Sequence, residues 1–404
     1  MLTRGEQMLA LRRARMASSP PFLRGGFRPF FFGGAGWAIL ALTLWLCSLA
    51  GIIQLPTGMD ALAWHRHEML FGFVGAVVAG FLLTAIPNWT GRLPIAGPPL
   101  ALFFGFWLAG RAAVLFSGTF GLVPAAAIDV GFLLLLAWIG AQEVLSAKNR
   151  NLPVVGMVLL LALANALDHL AMAGLTADPL LGMGVGIAVV TLLIALIGGR
   201  IIPSFTRNWL MKRGLRDSLP SQPSRFDILT NAVTAVAFLA WLTVPGMGLA
   251  GVLLTTAGLL QLVRLLRWQG YRTFADPLVL ILHVAFLWIP VGLLLLGAAQ
   301  LGAAIPQTAA IHALTAGAMA SMILAVMTRA SLGHTGRELR ADGATQLLYL
   351  LITAGAVTRV AAPIEAGHYA ELIRTSGLLW GAAFLLFLLR YGPILFGRRL
   401  GESE

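Results

Sequence analysis

Charged residues and cysteines are scarce in this chain. Only 11% of its 404 residues are Asp, Glu, Lys or Arg, whereas a soluble globular domain carries roughly 25%. No polar stretch is long enough to form a second, soluble domain. The one cysteine, Cys47, excludes a disulfide framework and any haem or metal attachment site built on paired cysteines.

Apolar residues make up 58% of the sequence and fall in long runs. A membrane-spanning helix needs about 20 mostly apolar residues, so the sequence predicts an all-α, polytopic membrane protein with twelve transmembrane helices. We expect one transmembrane domain at 29–395, between cytoplasmic tails at 1–28 and 396–404. The predicted helices cover 30–52, 64–86, 98–117, 122–146, 153–173, 178–202, 227–245, 248–268, 277–299, 306–328, 344–361 and 371–391.

The basic residues divide unevenly between the two sides of this topology. Both tails are basic, and most other Lys and Arg follow even-numbered helices, at Lys148, Arg150, Arg207, Lys212, Arg213, Arg216, Arg225, Arg267, Arg272, Arg337 and Arg340. The positive-inside rule then places both termini in the cytoplasm. We expect a multi-pass protein of the bacterial inner membrane, with the lipid bilayer as a partner. The net charge of +12 is explained by these loops, without nucleic acid as a partner.

Five of the seven histidines map to the outer side: His65, His67, His169, His312 and His368. Ionisable residues within a bilayer are costly and mark functional sites, and imidazole ligates both metal ions and haem iron. The outer cluster is therefore the candidate site. His283 and His334 map to the inner side.

The second predicted helix aligns without gaps with the tenth. His67 matches His312, and Gly72 matches Gly317. The end of the sixth helix aligns with the same two helices. In that alignment Met183, near the start of the sixth helix, takes the position of His67 and His312. Helices spaced four apart suggest three four-helix repeat units, and chance matching of apolar helices is the alternative.

A six-coordinate haem b needs two facing imidazoles held between helices. His67 and His312 lie at equivalent places in the two repeats, so we predict that they ligate haem b, with one or two haems in the protein. The alternative is that each histidine caps a helix or hydrogen-bonds a carbonyl.

His65 and His67 are only two residues apart. On an α-helix their side chains point about 200° apart, so they cannot chelate one metal. Alternatively, His65 precedes the first helical turn. A second metal or catalytic site would use His65 with His169, His368 or Met183, and methionine sulfur suits copper.

Four arginines share the outer side with the histidines: Arg66, Arg111, Arg359 and Arg374. Because a guanidinium pairs bidentately with carboxylates, they are predicted to hold haem propionates or to carry outer-side charge. Snorkelling to the interface is the alternative, and Asp129 and Asp168 are candidates to neutralise them.

Seven motifs are spread from end to end of the chain: FRPFF (27–31), WHRHEMLFG (64–72), TAIPNWTG (84–91), KNRN (148–151), GGRIIPSFT (198–206), HALTAG (312–317) and MTRASLGHTG (327–336). Together they resemble the NnrS family, membrane proteins associated with the bacterial response to nitric oxide. The resemblance implies a twelve-helix protein with haem, and copper as a candidate second metal. It does not supply a settled reaction.

More distantly, the layout is similar to the haem–copper oxidase and nitric oxide reductase core, which also has haem histidines on its second and tenth helices. That family takes the histidines of its second metal from helices 6 and 7. This chain has no histidine in either predicted helix, 178–202 or 227–245, so an oxidase-type binuclear centre is not expected.

We expect a haem-b membrane protein that binds or reduces nitric oxide near the periplasmic face and draws on an unknown electron donor. Whether it is an enzyme, as a nitric oxide reductase-type oxidoreductase, stays open. One alternative is a membrane transporter, which twelve helices and internal repeats fit equally well. The other is a haem electron carrier without catalytic turnover.

Overall fold

The computed structural model describes residues 4–176 and 178–401. Residues 1–3 and 402–404, the ends of the two predicted tails, lie outside the described residues. Within the described ranges the protein is helical, without β-strands. Twelve helices are long and apolar enough to cross a membrane: α1 Phe27–Leu49, α2 Ala61–Thr90, α3 Pro98–Leu115, α4 Leu122–Ser146, α5 Leu152–Met172, α6 Leu181–Lys212, α7 Arg225–Thr243, α8 Gly248–Arg272, α9 Pro277–Gln300, α10 Gln307–His334, α11 Gly343–Ala361 and α12 Ala366–Phe396.

The prediction of an all-α, polytopic membrane protein with twelve spanning helices is confirmed. Helix starts follow from the local sequence. The side chain of Asp60 accepts hydrogen bonds from the backbone N–H groups of Leu62 and Ala63, which is the preferred role of Asp at a helix N-cap. Because α2 therefore begins at Ala61, His65 lies inside the helix and not in the preceding loop.

A π-helical segment follows each histidine of the α2–α10 repeat. Glu68–Phe73 comes directly after His67, and Ala313–Met319 directly after His312. Such segments are rare and frequently occur at functional sites. The third member of the proposed repeat, α6, is α-helical throughout Leu181–Lys212. The local structure thus supports the match between α2 and α10 and sets α6 apart.

The chain divides into two compact units. The first comprises Met1–Gly186, Ala330–Glu338 and Phe387–Glu404, and the second comprises Ile187–Arg329 and Leu339–Leu386. In the first unit α1 packs on α2, and α4 packs on both α3 and α5. In the second unit α8 packs on α7 and α9, and α9 packs on the π segment of α10. Helices consecutive in a membrane run in opposite directions, so even-numbered helices begin where odd-numbered helices end.

The first predicted tail contains a further helix, Arg4–Ser18. Arg12 attaches it to the first unit by donating to Glu143 of α4 at 2.6 Å and to the Leu93 carbonyl at 3.1 Å. Glu143 also pairs with Arg92 at 2.9 Å. These contacts join the tail to the end of α4 opposite to Asp129.

Candidate metal centre

A group of buried ionisable side chains lies near one end of the helices of the first unit. His67 and Asp129 fall within the first eight residues of α2 and α4, while Arg111, Asp168 and His169 fall within the last five residues of α3 and α5. Since an α-helix rises 1.5 Å per residue, all five lie within roughly 12 Å of a helix end. The alternating helix directions bring these ends together.

His67 is fully buried, and both of its ring nitrogens face carboxylates. Nδ1 lies 2.9 Å from Oδ2 of Asp168, and Nε2 lies 2.8 Å from Oδ2 of Asp129. Nε2 of His169 lies 3.1 Å from that same Asp129 oxygen. Two imidazole nitrogens from different helices therefore converge on one carboxylate oxygen.

Asp129 is held in place by two further donors. Arg111 donates to Oδ1, and the side-chain amide of Asn165 donates to Oδ2 at 2.9 Å. The guanidinium thus occupies one carboxylate oxygen and leaves the other directed at the histidines. The interpretation that Asp129 neutralises Arg111 agrees with this ion pair.

Arg111 also joins this group to Glu68, the first residue of the π segment in α2. Oε2 of Glu68 accepts from Arg111 at 2.6 Å and from the indole N–H of Trp37 at 2.6 Å. A Cβ atom at position 72 would collide with the Arg111 and Glu68 side chains. Gly72 therefore leaves the space in which this buried ion pair forms.

The residues present fit a metal ion. His67, Asp129 and His169 each offer one ligand atom, and these atoms lie within 4.8 Å of one another. Imidazole nitrogen with carboxylate oxygen is a common ligand set for first-row metals.

The charges of the group also favour a cation. The group contains three carboxyl side chains, those of Glu68, Asp129 and Asp168. Its one guanidinium belongs to Arg111. Acidic side chains therefore outnumber the guanidinium in this buried group. Uncompensated buried charge is strongly destabilising, and a divalent cation would balance it.

Of the residues predicted for this region, the structure brings together His67, His169 and Arg111. His65 is not among them: its ring stacks on that of Trp45, with 3.9 Å between the ring centroids. The two histidines of α2 thus meet different neighbours, as their spacing predicts. Met183 is buried near the start of α6 in the same unit.

Arg66, also in the first unit, is half-buried, and its Nε has no hydrogen-bond partner among the described residues. The remaining predicted residues lie in the second unit. Nδ1 of His312 lies 2.7 Å from the carbonyl oxygen of Thr308, so Nδ1 carries the proton and Nε2 keeps its lone pair in a neutral ring. Nη1 of Arg359 is buried and has no hydrogen-bond partner among the described residues. His368, in the 3₁₀ turn Ala366–His368, and Arg374 are exposed. Haem ligation by His67 and His312 stays a prediction.

Sequence reasoning missed part of this group. Asp129 and Asp168 were interpreted only as counter-charges for arginine, and Glu68 was not singled out. The available signal was that all three interrupt apolar runs in predicted helices, where ionisable residues mark functional sites.

Comparison with known proteins identifies one family for this chain. A family model described as NnrS protein matches residues 21–399, nearly the whole chain. No curated protein matches the chain.

Proposed function

This chain belongs to the NnrS family, and we propose that it binds or reduces nitric oxide at a buried metal centre near the periplasmic face of the inner membrane. The observation that carries the proposal is the convergence of His67 and His169 on Asp129 within a buried group that contains three carboxyl side chains. A metal bound there would supply a coordination position for nitric oxide and a change of oxidation state.

The chain's own residues prepare this site. Asp168 contacts the ring of His67 at Nδ1, and Nε2 faces Asp129, beside which a metal would bind. A carboxylate behind a ligating histidine orients it and raises its basicity. Arg111 holds Asp129 through its other oxygen, Oδ1, and Asn165 donates to Oδ2 itself. Because nitric oxide is small and uncharged, it reaches a site within the membrane through the lipid, without a polar channel.

Reduction of nitric oxide adds further requirements. Two molecules of nitric oxide take up two electrons and two protons to give nitrous oxide and water. The proposal therefore includes an electron donor, whose identity is unknown. A protein that binds nitric oxide without turnover would instead be a carrier or sensor built on the same centre.

We also propose haem b, with His312 as an axial ligand. Nδ1 of His312 donates to a backbone carbonyl, which is the arrangement that leaves Nε2 available to a metal. The unpartnered Nη1 of Arg359 is available for a haem propionate. In this proposal His67 serves the metal ion, since its Nε2 faces Asp129 and His169. The pairing of His67 with His312 on one haem is the competing assignment.

The test uses the full chain purified in detergent, with an optical spectrum, metal analysis and nitric oxide consumption driven by an artificial electron donor. We expect bound metal, and we expect His169→Ala to lose both that metal and nitric oxide consumption. His283→Ala is the matched control, because His283 contacts Thr206 in the second unit. Full metal content and activity in His169→Ala would refute the proposal. If no preparation contained haem or bound metal, the result would favour the alternative that the protein is a transporter.

A further inference from the structure

We propose that the connections after α6 and α8 together form a binding surface for the headgroups of anionic phospholipids. Both connections follow even-numbered helices, so they lie on one side of the membrane, which the positive-inside rule predicts to be the cytoplasmic side. The proposal concerns a different part of the chain from the metal centre and does not depend on it.

Basic residues are concentrated in these two connections and in the helix ends that lead into them. Residues 207–225 and 267–276 contain two acidic side chains, Asp217 and Asp276, against seven basic ones. The seven basic residues define the basic surface: Arg207, Lys212, Arg213, Arg216, Arg225, Arg267 and Arg272. The salt bridges within the described part of the chain involve none of these seven side chains. Their charge is therefore available to an anion from outside the protein.

One side chain joins the two connections into a single surface. Nη1 of Arg272, at the end of α8, donates to the carbonyl oxygen of Ser218 at 2.9 Å and to the side chain of Gln269 at 2.7 Å. Ser218 lies in the connection after α6. The guanidinium of Arg267 lies 4.7 Å from the ring centroid of Phe226, at the start of α7. The basic surface therefore runs across the neighbouring ends of α6, α7 and α8.

The length of α6 places this surface at the depth of lipid headgroups. With 32 residues, α6 is about 48 Å long, whereas the hydrocarbon core of a bilayer is about 30 Å thick. Residues 181–199 contain no charged side chain, so the C-terminal end of α6 is the end that extends beyond the hydrocarbon. That end contains Trp209, and the guanidinium of Arg213 lies 4.7 Å from its ring centroid. Tryptophan beside basic residues is typical of the membrane interface.

Exposed apolar side chains lie between the basic residues of this surface. Met211 and Leu215 follow α6 closely in sequence, Tyr271 and Phe274 lie at the end of α8, and all four are exposed. A phospholipid offers both kinds of partner, because its phosphate accepts from guanidinium groups and its acyl chains cover apolar side chains. Clusters of four to eight Lys and Arg beside a membrane-spanning helix bind anionic lipids. These neighbours favour a lipid over a soluble polyanion as the occupant.

The experiment measures lipid binding directly. The full chain is freed of lipid in a neutral detergent and titrated with phosphatidylglycerol or with phosphatidylcholine, and the bound lipid is counted by native mass spectrometry. We expect the Kd for phosphatidylglycerol to be at least about fivefold lower than that for phosphatidylcholine. The difference should shrink as the salt concentration rises from about 0.1 M to about 1 M, because the screening length falls from about 10 Å to about 3 Å. This salt titration uses the wild-type chain alone.

A triple variant tests whether the basic surface is the site. Lys212→Gln, Arg213→Gln and Arg216→Gln together remove three exposed charges. Because each basic residue near the membrane surface contributes about 1 kcal/mol to the binding of anionic lipid, the affinity for phosphatidylglycerol should fall by about 10–100-fold. The affinity for phosphatidylcholine should not change.

The matched control removes the same number of charges elsewhere. Lys148 and Arg150 follow α4, Arg340 follows α10, and all three are exposed. Their combined replacement by Gln should leave the affinity for phosphatidylglycerol as in wild type. Arg213→Lys with Arg216→Lys keeps the charges and should also bind as wild type does. Metal content and nitric oxide consumption, measured in the same preparations, should be unchanged in every variant, so this proposal and the proposed function can fail separately.

Four results would overturn the proposal. The first is equal affinity of the wild-type chain for the two lipids, and the second is an unchanged affinity for phosphatidylglycerol in the triple Gln variant. The third is an equal loss of affinity in the matched control, which would assign the effect to overall charge. The fourth is displacement of phosphatidylglycerol by equimolar inorganic phosphate or by an oligonucleotide, which would assign the surface to a soluble anion.

Discussion

Replacing Asp168 tests the metal centre without removing a metal ligand. Its Oδ2 lies 2.9 Å from Nδ1 of His67, whose other nitrogen faces Asp129. Asp168→Asn keeps an acceptor of the same shape and removes its charge, whereas Asp168→Ala removes the acceptor entirely. The pair of variants therefore separates the effect of the charge from the effect of the contact.

The two variants should weaken metal binding by different amounts. A hydrogen bond to a charged group contributes about 1.5–3 kcal/mol, and a neutral one about 0.5–1.5 kcal/mol. Asp168→Asn should therefore lose about 1–1.5 kcal/mol, which corresponds to a Kd roughly fivefold to tenfold weaker. Removing the outer partner of a metal-ligating histidine lowers affinity by about 10–100-fold, so Asp168→Ala should bind more weakly still.

The assay is a metal titration of the purified full chain against a coloured chelator of known affinity. Asp178→Asn is the matched control, because Asp178 is an exposed carboxylate of the same unit whose side chain accepts from the backbone N–H of Leu180. It should bind metal as wild type does. If Asp168→Ala bound metal as tightly as this control, the argument that Asp168 acts through His67 would be refuted.

Three further predictions follow from the fold. Gly72→Ala should lower the free energy of unfolding by about 1–3 kcal/mol and reduce the metal content, because the added Cβ would collide with Arg111 and Glu68. The control Gly36→Ala, with open space around its Cβ, should change neither quantity in the same thermal unfolding and metal assays. His312→Ala should lose the optical spectrum of low-spin haem and retain the non-haem metal, and loss of both would favour the pairing with His67. A C-terminal reporter fusion should be active in the cytoplasm, and activity confined to the periplasm would contradict the topology.

The helices could be predicted from the sequence because long apolar runs are a strong signal. Their ends were less predictable, since hydropathy alone starts the second helix at 64, whereas the side chain of Asp60 starts it at Ala61. The π segment Glu68–Phe73 has no comparable signature in the sequence. This segment depends on how the side chains of neighbouring helices pack, and the amino-acid sequence alone does not specify that packing.

The site could be predicted only in part. Topology alone placed His67, His169 and Arg111 on one side of the membrane. The partners of His67 are 62 and 101 residues away, at Asp129 and Asp168. No local pattern links such distant positions, because their meeting depends on the packing of α4 beside α5. Sequence reasoning therefore identified which residues are chemically unusual, and the structure supplied which of them meet.

The distribution of charge over four helices has a consequence for how the protein is made. Glu68, Arg111, Asp129 and Asp168 lie on α2, α3, α4 and α5 respectively, and each depends on a neighbouring helix for its counter-charge or hydrogen bonds. An ionised residue at the centre of a membrane-spanning helix costs about 2.5–3.5 kcal/mol on insertion. That cost is recovered only when the four helices meet. Biogenesis of the first unit should therefore be cooperative, with these helices leaving the insertion machinery together.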